Sequence, residues 1–216
     1  MKKIYLNSFA SLVGKRDERS LVKAMMRMIE DHPPLFWYSR IRAGVREFFV
    51  KGCDYSVLSE QLDKLDAVVP LTPFQKNDVA NSKQAVRMIM GVPFAFLKGK
   101  TMQKPDTKSI PFYGIELDVN PDAIIMWNDS GGGMHVGAIK TKLRKSYFRP
   151  IEGEMIACML RCYLQSLFPD CIVEDDYCLC FDAFRGRFYK VTNFRKNHLF
   201  ASAIAKRIAL MDHDVA

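Results

Sequence analysis

An acid and a lysine stand one hairpin apart, at Asp122 in Asn120-Pro121-Asp122-Ala123-Ile124-Ile125 and at Lys140 in Val136-Gly137-Ala138-Ile139-Lys140-Thr141-Lys142. Between them lie the apolar run Ala123–Trp127, the turn signal Asn128-Asp129-Ser130-Gly131-Gly132-Gly133 and a returning run from Met134. A glycine-rich turn between two strand-like runs predicts a hairpin that sets Asp122 and Lys140 near one another. An acid that holds a divalent cation beside a lysine that orients or polarises an attacking water is the logic of metal-assisted phosphodiester hydrolysis. An Asp after proline also suits a simple turn. The three glycines do not form a phosphate loop, because no helix start follows them. His135 has the opposite strand parity to Lys140, which predicts a surface or core histidine rather than a general base.

The returning strand runs into a basic stretch, Lys140, Lys142, Arg144, Lys145 and Arg149, with Tyr147 and Phe148 inside it and no acid. Lys142, Arg144, Lys145 and Arg149 are candidates for nucleic-acid binding, since such side chains hold phosphates and aromatic neighbours stack on bases. The competing reading is a solvated strand end whose aromatics pack inward. Asp182, Arg185, Arg187 and Lys190 surround a later turn that could continue the basic surface.

Apolar spacing predicts helices over 17–31, 35–50, 54–66 and from Thr72-Pro73 to Gly91, with His32-Pro33-Pro34 as a stop. The lysine-rich stretch 98–109 reads as an exposed loop. Strands are predicted at 110–119, 123–127 and 134–143, a helix at 150–168, strands within 171–183 and 188–194, and a helix at 197–211. The expectation is a helical region over 1–91 packed on an α/β core over 92–216, together one compact domain. Five of the six cysteines fall between Cys158 and Cys180 without a C-x-x-C pair or zinc-like Cys–His spacing. They read as reduced core thiols in a reducing compartment.

The 216 residues carry a net charge of +8, with 49% hydrophobic and 26% charged residues. That composition is globular and excludes a disordered tail, a collagen-like repeat and a disulfide-scaffold toxin. No apolar run is long enough for a spanning helix, and Met1-Lys2-Lys3-Ile4-Tyr5 opens no secretory signal, so a cytoplasmic address without membrane contact is expected. The positive excess favours a polyanionic partner, with DNA ahead of RNA. A protein partner or a homo-oligomer is also compatible.

Pro121-Asp122 followed by Ala138-Ile139-Lys140, within an α-β-β-β-α-β order over roughly residues 72–194, resembles the PD-(D/E)XK nuclease superfamily, which includes restriction enzymes and RecB-type nucleases. The resemblance implies a mixed α/β, restriction-endonuclease-like core with a central sheet flanked by helices, and a nuclease dependent on Mg²⁺ or Mn²⁺. Asp122 matches the first acid of the motif and Lys140 its lysine. The second acid should stand two residues before the lysine, where this chain has Ala138, and Mg²⁺ requires hard oxygen ligands. Glu154 or Glu152 on the following helix could substitute, as could Asp118 or Glu116 on the preceding strand. The expected catalytic set is therefore Asp122, Lys140 and Glu154, with Asp122 and Glu154 on the metal. Acids in a first helical turn also simply favour the helix dipole. Two functions follow from the resemblance: a metal-dependent nuclease, or a degenerate relative that binds nucleic acid or a protein without cutting. A regulatory protein with incidental charge is the third. Nucleophile-elbow, Walker, dinucleotide and H-E-x-x-H motifs are absent from the sequence.

Overall fold

A computed structural model describes residues 2–15, 17–29, 38–146 and 148–213. The chain opens with β1 (Lys3–Tyr5) and α1 (Leu6–Ser11), then α2 (Glu18–Ile29), α3 (Ser39–Val50), α4 (Tyr55–Asp66) and α5 (Pro73–Met90). There follow β2 (Thr101–Gln103), β3 (Ser109–Phe112), β4 (Ile115–Asp118), β5 (Ala123–Asn128), β6 (Met134–Lys142), α6 (Pro150–Leu167), β7 (Ile172–Asp182), β8 (Arg187–Tyr189) and α7 (Phe194–His213). The expected stop at His32-Pro33-Pro34, the helix start at Leu35 and the aromatic Tyr147 lie outside the described residues. Helix starts follow their caps. Asp54 accepts from Ser56 N–H (2.9 Å) ahead of α4, and Thr72 accepts from Gln75 N–H (3.2 Å) with Pro73 in the first turn of α5.

Two mixed sheets result. The larger has the order β2-β5-β6-β7-β8, antiparallel except for the parallel β6–β7 pair that α6 connects. One face carries Ile124, Val136, Ala138, Cys178 and Cys180 against α1, α6 and α7. The other carries Ala123, Ile125, Ile139, Leu179 and Phe181 against α3, α4 and α5. A sheet covered on both faces requires near-continuous apolar strands, which is how β5 and the end of β7 read. The cysteine expectation is consistent with this packing: all six thiols are free, and Cys158, Cys178 and Cys180 are buried. Burial pushes the Cys180 thiol up to about 12. Among the described residues no helix is long and apolar enough to cross a membrane.

The smaller sheet, β1-β4-β3, corrects two expectations. The single strand predicted at 110–119 is a hairpin, because Tyr113 (φ 45°) and Gly114 (φ 88°) both adopt the left-handed region between the paired residues Phe112 and Ile115. Two central residues of that kind make the turn that matches strand twist. The first residues are not helical throughout, since β1 pairs in parallel with β4, Ile4 facing Leu117. The 98–109 stretch also contains β2, which binds the edge of β5 through Met102 and Ile125. The strand predicted at 188–194 ends at Tyr189, and α7 begins at Phe194.

At Gly137 the β6–β7 pairing shifts: Val136 faces Val173 but Ala138 faces Cys178, so four residues of β7 bulge across from one glycine. A Cβ at 137 would lie 2.5 Å from the Tyr177 Cβ and 2.7 Å from its carbonyl oxygen. Gly137→Ala is expected to destabilise the protein by about 1–3 kcal/mol, the usual range for overpacking, measured by chemical denaturation. A change within about 0.5 kcal/mol, typical of a free surface site, would contradict this packing.

Candidate nucleic-acid interface

The β5–β6 register, Ala123 facing Ile139, makes Asp122 and Lys140 cross-strand neighbours at the mouth of the hairpin. Both are buried, at 7% and 6% exposure. Asn120 (φ 42°) turns the chain from β4 toward β5, a conformation that Asn tolerates better than most side chains. This turn aims the Asn120 carbonyl at Lys140, whose Nζ donates to it. The Asp122 carboxylate is engaged elsewhere. One oxygen accepts from Thr141 N–H (2.5 Å), and the other faces Arg46 Nε at 3.4 Å. Arg46 Nη2 also donates to the Asn120 side chain (3.0 Å). Desolvation lowers the Lys140 pKa, and nearby Asp122 partly offsets that shift.

The remaining acids do not complete a metal site. Glu154 accepts from Thr192 Oγ1 (2.8 Å), in the segment ahead of α7, so one of its oxygens is engaged there. Glu116 accepts from Ser109 (2.6 Å), and Asp118 pairs with Lys3 (3.3 Å) while its Oδ1 is buried without a hydrogen bond. Ala138 is fully buried in the core. Among the described residues no three His, Cys, Asp or Glu side chains gather in a way that could hold a metal ion. The donors present therefore do not fit the Mg²⁺ or Mn²⁺ that the nuclease resemblance implies: Asp122 already has a guanidinium and an amide N–H, and Asp118, which with Asp122 acts on the Lys140 charge, is paired with Lys3.

Beside this network opens a cleft of about 560 Å³, lined by Asn7, Tyr38, Arg42, Asn81, Lys142, Leu143, Arg144, Lys145 and Ser146. Among the described residues four cations and no carboxylate line it. Lys142, Arg144 and Lys145 come from the predicted basic run, whereas Arg149 sits at the N-cap position of α6 and does not line the cleft. Phe148 is buried rather than offered for stacking. Arg42 and Arg46 were not singled out from sequence. Their signal is an i, i+4 pair of like charges on α3, an arrangement unfavourable unless something anionic compensates it. The start of α3 is held by Asp78 of α5, which accepts from Tyr38 N–H (2.9 Å) and pairs with Arg40 (3.5 Å).

Lys142 differs from its neighbours. It is only 8% exposed, yet no acceptor among the described residues lies within hydrogen-bond distance of its Nζ, which stands 5.3 Å over the Phe148 ring. Asp182, its partner across β7, is already bonded to Arg185 (2.9 Å) and Phe184 N–H (3.1 Å). Burial holds the Lys142 ammonium down at about 8, with Arg144 and Arg42 adding repulsion and Cys180 and Glu152 opposing it. Its neighbour Glu152 is likewise buried, with Oε2 unpartnered. His135, as parity suggested, belongs to a separate cluster. It bridges Glu174 (2.7 Å) and Asp129 (3.1 Å), and hydrogen bonds to these carboxylates raise its pKa.

A lysine whose folded pKa lies below its ordinary 10.5 binds its proton more weakly folded than unfolded. Stability therefore rises with pH between the two values, and the cost of burying the ammonium is complete below about 8. Lys142→Met is expected to stabilise the protein at pH 7 by roughly 1–3 kcal/mol, with the gain fading toward pH 10.5, as read by denaturant melts across pH. Destabilisation at pH 7 would show that the ammonium has an internal partner.

Compared with models of protein families and with curated proteins, the chain finds no match, so the reading of this site rests on its own geometry.

Proposed function

We propose that this protein binds nucleic acid through the cleft formed by Arg42, Lys142, Arg144 and Lys145, on a nuclease-like scaffold that does not cut. The observation that carries the reading is the cleft itself: four cations converge on one concavity with no carboxylate among the described residues that line it. The cross-strand placement of Asp122 and Lys140, and the run α5, β2, β5, β6, α6, β7 with its parallel crossover, support kinship with PD-(D/E)XK nucleases. The network around Asp122 favours the non-cutting alternative, because Arg46 supplies as a side chain the positive charge that a metal would bring. Lys140, bonded to Asn120, then acts as a structural cation.

Phosphate contacts release counterions, so retention of DNA or RNA should fall by orders of magnitude between about 50 and 200 mM salt. Arg144→Ala with Lys145→Ala should weaken binding alike across sequences and flatten the salt slope by about two, since phosphate contacts carry no base information. No retention of single- or double-stranded DNA or RNA at 50 mM salt, measured by fluorescence anisotropy, would overturn the reading.

Cleavage separates the two nuclease-like alternatives. With Mg²⁺ or Mn²⁺ at millimolar concentration, DNA and RNA should remain intact. Cutting that Asp122→Ala abolishes would restore the enzyme reading. Placing the missing acid by Ala138→Glu should destabilise the protein rather than activate it, because the position is fully buried. Metal-dependent cutting gained by a folded Ala138→Glu variant would count against the account.

A further inference from the structure

The basic cleft has an internal asymmetry that bears on which part of a nucleic acid it receives. Arg144 and Lys145 are exposed at its rim, as is the Arg42 residue on α3, whereas Lys142 is withdrawn to 8% exposure. No acceptor among the described residues lies within hydrogen-bond distance of the withdrawn ammonium, which stands over the Phe148 ring, although an unpaired buried cation is costly. Asn7, which also lines the cleft, adds a second unmet group, since its Oδ1 is buried without a hydrogen bond. Tyr38 closes another side, 6% exposed and packed on Phe184 at 5.8 Å between ring centroids. The cleft is thus a pit with a deep cation and a basic rim.

An internal phosphodiester carries one negative charge and is tied to sugar on both sides, so it rides along an exposed rim. A terminal phosphomonoester carries about −1.5 to −2 charges at pH 7, presents three acceptor oxygens and projects beyond the sugar. Only the second kind of group can reach a recessed ammonium while the following phosphates stay on the rim. The cleft volume of about 560 Å³ is in the range of small-molecule sites, room for a chain end rather than a duplex.

Resting on the nucleic-acid reading above, we propose that this cleft captures the phosphorylated end of a nucleic-acid strand, with Lys142 binding the terminal phosphomonoester and Arg42, Arg144 and Lys145 holding the phosphates that follow. A 5′- and a 3′-phosphate share this chemistry, and the test separates them.

The experiment uses the full chain and labelled single-stranded DNA 12-mers, with matching RNA 12-mers. Each carries a 5′-phosphate, a 3′-phosphate or hydroxyls at both ends, with the label on the end opposite the phosphate. Anisotropy at fixed moderate salt gives a dissociation constant for each. One phosphorylated end should bind at least about tenfold tighter than its hydroxyl counterpart. In Lys142→Met that ratio should collapse to about one, whatever happens to the individual affinities, while Lys145→Ala should weaken both strands and keep the ratio. Equal binding of all three ends by the wild type overturns the terminal-phosphate proposal and leaves nucleic-acid binding standing. A preference that survives in Lys142→Met overturns the role given to Lys142. Failure to bind any strand overturns the proposal together with the reading on which it rests.

Discussion

Two lysines two residues apart on β6, both buried, meet opposite fates, and the character of the site follows from that difference. Lys140 donates to the Asn120 carbonyl and has Asp122 nearby, so its charge is met inside the protein. Lys142 lines the cleft, with no acceptor among the described residues within hydrogen-bond distance. A buried cation is tolerated when partnered and costs several kcal/mol when not. One lysine therefore belongs to the scaffold, and the other leaves a charge for something outside the protein to meet. The strand alternation that puts Lys140 and Lys142 on one face also puts Ala138 there, deep in the core against α6.

Asp122 shows how the same scaffold moves away from metal chemistry. Its two oxygens are taken by Thr141 N–H and Arg46, and the sharp turn at Asn120 brings both the carbonyl for Lys140 and the amide for Arg46. The arrangement is internally paired: Asp122, Arg46, Asn120 and Lys140 answer one another within the chain. Glu154, drawn off to Thr192, does not enter it. The cleft next to it is open in the chemical sense, since among the described residues four cations line it and no carboxylate does.

The parts of this picture that sequence carried were the local ones. The glycine turn predicted the β5–β6 hairpin and hence the meeting of Asp122 with Lys140, because hairpin pairing depends on nearby residues. Three of the four basic-run candidates line the cleft for the same reason, being consecutive along one chain segment. Arg42, Arg46, Asn7 and Asn81 come from three distant helices, and no local pattern indicates that α1, α3 and α5 converge there. The β3–β4 turn was missed because Tyr113 takes a left-handed conformation uncommon for an aromatic residue. The β1 strand was missed because three residues pairing with β4 leave no periodicity to read.

The central claim is that Lys142 is a buried ammonium without a hydrogen-bond partner among the described residues, left for a phosphate to meet. Its titration can be followed directly by NMR in protein carrying ¹³C-labelled lysine, with the Lys142→Met variant assigning the signal. The account predicts a midpoint near 8 in the free protein and an upward shift once a terminally phosphorylated 12-mer is bound. A midpoint near the ordinary 10.5, unmoved by the oligonucleotide, would contradict it.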